Sequence, residues 1–342
     1  MTDAILFASF GGPETPEQIM PFLEHVTAGR GISRERLLGV AQHYEHLGGR
    51  SPINAITRSQ ADALSSALKR VGDQRRVYVG QRHAAPFFED AFARMISHGV
   101  TRATVFITAA YRCEASLERY VTAINAAREK AGPGAPDVVY VSGWSDHRHF
   151  IEAIAARIAE KSLPEAAWVF TAHSIPCAMA KESTYVEELK NTAALVAKLC
   201  GVSDWTLAFT SRSGGPRDAW LEPDVSKVIA AAAARGAKDL ILIPFGFVAD
   251  HVEVLFDLDV EAKASADKAG VRLHRVPTVG DHPQFIAMIA ELVGMSTSPT
   301  VSSASTVFRD GRTATKVGHD SWVCFCEPNS AAPPCRAVRP KP

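Results

Sequence analysis

The chain carries no excess of charge. Among its 342 residues, 37 Lys and Arg stand against 37 Asp and Glu, for a formal net charge of zero. A globally basic nucleic-acid binder is excluded on that balance, and no nucleic-acid partner is expected. No apolar run reaches the roughly 20 residues of a membrane span. The N-terminus also lacks a basic segment followed by a long apolar one. The expectation is a cytoplasmic protein without a transmembrane segment. HExxH, a C-x2-C pair, a Walker loop and a correctly placed GxGxxG are all missing. Lone serines such as Ser65 and Ser66 lack a nucleophile-elbow context, which leaves a hydrolase little support. Cysteine is sparse and uneven: Cys113, Cys177 and Cys200 are scattered, whereas Cys324, Cys326 and Cys335 cluster near the end. In a large, core-rich cytosolic chain this is no disulfide framework.

Apolar residues are plentiful. Hydrophobic residues make up 46% of the chain, enough for two ordinary domains or one large α/β domain. Apolar runs at 4–10, 77–81, 103–109 and 137–142 read as strands, and the pattern restarts at 167–172, 207–211, 240–248 and 271–276. Helical stretches separate them, at about 34–47, 56–71, 86–98, 115–130, 147–161, 186–200, 224–235, 253–269 and 283–293. An N-terminal helix is expected to open on Thr15 as N-cap with Pro16 in the first position. Short strands alternating with helices imply right-handed βαβ units and parallel sheets. The expected fold class is α/β, with two similar Rossmann-like halves, each a parallel four-stranded sheet flanked by helices. The expected division is 1–145 for the N-terminal half and 146–295 for the C-terminal half. Residues 296–342 form a Ser/Thr-rich linker and a Cys-containing extension.

The stretch around which these halves are organised is Leu240–Glu261, LILIPFGFVADHVEVLFDLDVE. A buried strand leads to His251 and then to a helix with Glu253, Asp257 and Glu261 at i, i+4 and i+8. That spacing stacks three carboxylates on one stripe, at a cost in stability unless cations or protons visit it. A second stretch, WVFTAHSIP, runs from an apolar strand to His173. Ligand residues gather at the carboxyl ends of parallel strands. Read blandly, His173 is a satisfied or capping histidine, and the acids form a solvated helix start. Read chemically, imidazole nitrogen and carboxylate oxygen suit a borderline divalent metal such as iron(II) or zinc. Two such ligands suit a transfer site, where the metal must arrive and leave.

Four blocks, SFGGPETPEQIMPFLEHVTAGRGI, HYEHLGGRSPIN, TAHSIP and PFGFVADHVEVLFDLDVE, strongly resemble the ferrochelatases, in family order across nearly all of 1–295. The first two look most like the actinobacterial type, whose porphyrin is usually coproporphyrin III. The resemblance implies a chelatase-like fold and a lyase that inserts Fe2+, as a substrate, into a porphyrin during haem biosynthesis. It implies a porphyrin in the cleft between the halves, a last helix packed back across them, and contact with neighbouring haem-pathway enzymes. It places the active-site histidine on His173 and the glutamate on Glu253, with His251 beside it. Insertion needs a base for the pyrrole N–H protons and a distorted macrocycle. Which of His173 and Glu253 takes the protons stays open. Asp257 and Glu261 match a row that binds a second, outer cation.

The same resemblance assigns porphyrin contacts to Phe10, Arg30, His43, Ser51 and Tyr120. Phe10 stands where relatives carry a tyrosine near the metal and cannot ligate, and His43 stands where arginine is common. Cys324, Cys326 and Cys335 (C-x-C-x8-C) resemble three ligands of a [2Fe–2S] cluster. Cys113 is the favoured fourth, although a gapless match falls nearer Ser116, and Cys177 is a rival. Protoporphyrin IX as the substrate is the alternative; a cobalt chelatase or a non-catalytic haem or metal carrier is a more distant one.

Overall fold

The computed structural model describes residues 2–161, 165–213 and 218–295, together with the backbone of three short strands in the extension. The first half is built on β1 (Asp3–Ser9), β2 (Arg76–Gln81), β3 (Arg102–Ile107) and β4 (Asp137–Ser142), parallel and ordered β2-β1-β3-β4. The second uses β5 (Ala167–His173), β6 (Trp205–Thr210), β7 (Asp239–Ile243) and β8 (Arg272–Arg275), parallel and ordered β6-β5-β7-β8. In each sheet the order reverses beside the first strand, so β1/β3 and β5/β7 flank a switch point. At such points the loops at the carboxyl ends diverge and leave a crevice for ligands. The first sheet is longer than the four strands expected. Beyond β4 it continues through β11 (Trp322–Cys326), β10 (Thr313–Lys316) and β9 (Thr306–Val307), with β11 parallel to β4.

Helices cover both sheet faces, which is why the central strands are almost wholly apolar. Ile5, Leu6, Phe7 and Ala8 of β1 are fully buried. The two halves share one core. Phe7 stacks on Phe106 with ring centroids 5.8 Å apart, Phe106 on Trp144 at 5.3 Å, and Trp144 meets Phe285 at 5.9 Å. Phe285 opens the last helix of the second half, Pro283–Met295, which packs on the helices Ile53–Arg70 and Arg148–Ala159. The amide of Gln60 adds a polar tie, donating to the carbonyls of Val248 at 3.1 Å and Gly280 at 2.9 Å.

Some boundaries differ from expectation for local reasons. The strand at 240–248 stops at Ile243, because Pro244 has no N–H for the ladder. Residues 15–25 form a 3₁₀ turn, Pro16–Gln18, followed by the helix Ile19–Val26; Thr15 is extended at the N-cap, but its side chain makes no cap bond. A short helix, Cys177–Lys181, was not foreseen. The largest departure is the acidic stretch: after one α turn, Val252–Val254, the chain widens into a π-helix over Leu255–Ala262 before α geometry resumes at Lys263–Ala269. A second π-helical stretch, Glu114–Glu118, precedes the helix Arg119–Ala131. π-turns occur frequently at functional sites.

Candidate active site

His173 is the last residue of β5, and the loop after β7 carries His251 and Glu253, so both flank the second switch point. Gly246 allows this approach. Its N–H donates to the carbonyl of Thr171 at 3.1 Å, and a Cβ there would stand 2.6 Å from Cα of Ala172. His173 is anchored through its own carbonyl, which accepts from the Tyr185 hydroxyl at 2.8 Å. Its Nδ1 lies against the carbonyl of Ser174. A carbonyl only accepts, so Nδ1 carries a proton and Nε2 is the nitrogen turned toward Glu253. That Nε2 lies 3.7 Å from Oε2 of Glu253, whose side chain is half exposed.

His251 plays another part locally. Its Nδ1 accepts from the N–H of Val254 at 3.4 Å, capping the acidic helix, and its ring packs edge-on against Phe247 at 4.9 Å. Burial lowers its pKa, and the nearby Glu253 opposes that shift. Arg275, at the end of β8, secures the same loop from outside: it donates to Asp259 at 2.6 Å and to Asp250 at 3.2 Å.

The acidic row survives the change from α- to π-helix. Asp257 accepts a hydrogen bond from Ser211, a non-glycine residue held at φ 61°. Burial pushes Asp257 up to about 7; Glu253 and Glu261 push the same way, and the Ser211 bond opposes them. The three carboxylates therefore act on one another, and the middle one is poised to exchange a proton near neutrality. Among the described residues, no three His, Cys, Asp or Glu side chains converge as a preformed metal cage.

The resemblance-based contacts fall into separate groups. His43 does not stand clear in the cleft; it stacks face to face on Phe256 of the π-helix, 3.7 Å between centroids. Burial lowers its pKa, so near neutral pH it is an uncharged hydrogen-bonding group and not a substitute for arginine. Ser51 is buried in the seam with the Gly11-Gly12-Pro13 loop: its N–H donates to Pro13, and its hydroxyl accepts from the N–H of Ile53 at 3.4 Å. Phe10 follows β1 and lies 4.6 Å from the ring of His83. Arg30 is exposed, and Tyr120 is buried beneath the guanidinium of Arg82. Cys113 is buried; its thiol and its N–H both donate to the Ser116 hydroxyl oxygen, and burial raises its thiol pKa. Cys335 lies outside the described residues, as do the side chains of Cys324 and Cys326.

Sequence reasoning missed Tyr44, Phe256, Ser211 and Arg82. Tyr44 is buried, with its hydroxyl pKa raised by burial and then by Glu253. Tyr44 lies inside the block HYEHLGGRSPIN, so that block could have pointed to it. Ser211 and Phe256 come together with the site only through the fold.

Two parallel sheets flanked by helices, with a histidine and a glutamate meeting at a switch point, form a chelatase-like α/β fold. Among solved structures, a sirohydrochlorin chelatase of Bacillus subtilis, SirB with Fe3+, aligns with a TM-score of 0.56 at 12% identity, covering 87% of this chain and 96% of that one; this likeness concerns the fold alone. The ferrochelatase family model matches residues 2–297, and the chain belongs to the ferrochelatases, enzymes that act as metal chelatases. A coproporphyrin III ferrochelatase of Mycolicibacterium vanbaalenii is 45% identical over 301 residues, 85% of this chain and 89% of the relative. One of Mycobacterium avium is 41% identical over 340 residues, 98% of this chain and 96% of the relative. Among the described residues, no helix is long and apolar enough to cross a membrane.

Proposed function

We propose that the chain inserts Fe2+ into coproporphyrin III. The observation that carries the reading is the approach of His173 Nε2 to Glu253 Oε2, 3.7 Å apart across the crevice of the second sheet. Each turnover must remove two pyrrole protons as Fe2+ enters. His173 accepts a proton or contacts the metal through Nε2, and the Glu253 carboxylate stands as its partner. Asp257, half protonated near pH 7, then links Glu253 to Glu261 as the next acceptor along the row. The rings of Phe256 and His43 wall the cleft beside that row. Arg30, Ser51 and Tyr120 are read as contacts for the propionates, and Phe10 as an apolar wall.

Coproporphyrin III is favoured over protoporphyrin IX because the mycobacterial relatives carry that name across most of this chain. Anaerobic assays with Fe2+ and either porphyrin test the choice: faster insertion into coproporphyrin III supports it, and turnover of protoporphyrin IX alone sinks it.

The extension is read as the holder of a [2Fe–2S] cluster through Cys324, Cys326 and Cys335, with Cys113 as fourth ligand. The reading is supported by the backbone register of β11 on β4, with Cys324 level with Ser142, in the sheet whose β3 leads toward Cys113. The cluster would supply a redox-active centre. Iron and sulfide analysis of protein purified without oxygen, with a visible spectrum of wild type and Cys113→Ser, tests the assignment; a colourless wild type overturns it.

A further inference from the structure

The carboxyl end of the first sheet holds a second group of charges that the chemistry at His173 does not use. Arg82 follows β2 directly and is half-buried, its guanidinium 5.8 Å over the ring of Tyr120. Among the described residues, it makes no ion pair and no side-chain hydrogen bond, and burial lowers its pKa. Arg30 and Arg119 stand close enough to disfavour its charge further. The acid within reach is Glu114, and Arg119 already grips it, with Nε at 2.8 Å and Nη2 at 2.9 Å from its two oxygens. Three guanidiniums thus share one carboxylate, and that carboxylate is engaged.

His83 adds an independent sign of an incomplete site. It is only 8% exposed, and its Nδ1 has no partner among the described residues. Its ring lies 4.6 Å from Phe10 and 5.0 Å from His25. Burial, with Arg82 and His25 adding to it, pushes its pKa down to about 3, so the positive charge of the group resides on the arginines. A partly desolvated guanidinium among like charges is costly unless an anion arrives. The planar fork matches a carboxylate in particular. The group also sits beside Phe10, at the switch point of the first sheet.

We propose that Arg82 seats one propionate of the porphyrin and thereby favours a tetracarboxylic over a dicarboxylic macrocycle. This rests on the cleft being a porphyrin site. The test is a metal-free titration of coproporphyrin III and of protoporphyrin IX, in detergent-matched buffer, into wild type, Arg82→Met and Arg82→Lys, each checked for an unchanged circular dichroism spectrum. Arg82→Met should weaken coproporphyrin III binding roughly tenfold or more, a range expected for a charge-assisted hydrogen bond. Protoporphyrin IX binding should change less than half as much on a logarithmic scale, and Arg82→Lys should recover part of the loss. Equal losses for both porphyrins, or no loss for coproporphyrin III, overturn the proposal. Should Arg82→Met fail to fold, Arg82→Lys decides: an intermediate loss selective for coproporphyrin III supports the seat, and unselective binding overturns it. Selective binding in a wild type that inserts no iron supports the seat while refuting the chelatase reading, so the two can fail separately.

Discussion

Replacing Asp257 by asparagine should make the folded protein less sensitive to rising pH. The carboxyl is raised from an ordinary 3.8 to about 7, chiefly by burial. Below about pH 4 the folded and unfolded chains both carry the proton, and the residue has no effect on stability. Between about 4 and 7 the unfolded chain has released the proton and the folded one holds it, so stability falls as pH climbs; above about 7 the loss is complete. The full window corresponds to about 4 kcal/mol. Water at the half-buried side chain screens about half of that, leaving about 2 kcal/mol. Asparagine keeps an oxygen for the Ser211 hydroxyl and removes the charge. Urea midpoints of wild type and Asp257→Asn, taken in steps from pH 5 to pH 8 without metal, should diverge by on the order of 1–2 kcal/mol, with the variant gaining. A difference that stays flat, or that favours wild type as pH rises, would refute the argument that Asp257 is held protonated by its surroundings.

Other outcomes follow from single contacts. Arg275→Met cuts both ties to the loop bearing His251 and Glu253, at Asp259 and Asp250; kcat should fall several-fold with KM for porphyrin nearly unchanged, and Arg275→Lys should restore part of it. Gly246→Ala forces a methyl against Cα of Ala172 at 2.6 Å, and a loss of about 1–3 kcal/mol is expected from overpacking, read as a lower thermal midpoint. Tyr185→Phe removes the donor to the carbonyl of His173, with a stability loss of about 1 kcal/mol and a drop in kcat. Unchanged kinetics in Arg275→Met would show that the loop is positioned by packing alone.

The fold was legible in the sequence because its signals are local. Eight apolar runs separated by helical stretches predict two parallel sheets, although the run at 240–248 overstates β7, which stops before Pro244. The meeting of His173 with Glu253 was legible because each sits past such a run, where parallel strands gather ligands. The π-helix over Leu255–Ala262 was not, since acids at i, i+4 and i+8 suit an α stripe and a π-turn about equally. Nor was the fate of His43: nothing in its neighbourhood announces a ring from residue 256 stacked on it, because that contact belongs to the way the two halves meet. Arg82 looked like a routine charge after a strand. Only its burial, and the engagement of Glu114 by Arg119, show it to be unmatched.

The most direct measurement is anaerobic Fe2+ insertion into coproporphyrin III by wild type, His173→Ala and Glu253→Gln, followed by the visible spectrum under identical conditions. The pairing of His173 with Glu253 predicts turnover in wild type and a loss of at least about 100-fold in each variant, on the scale of a missing general base. Insertion by His173→Ala at the wild-type rate would contradict it.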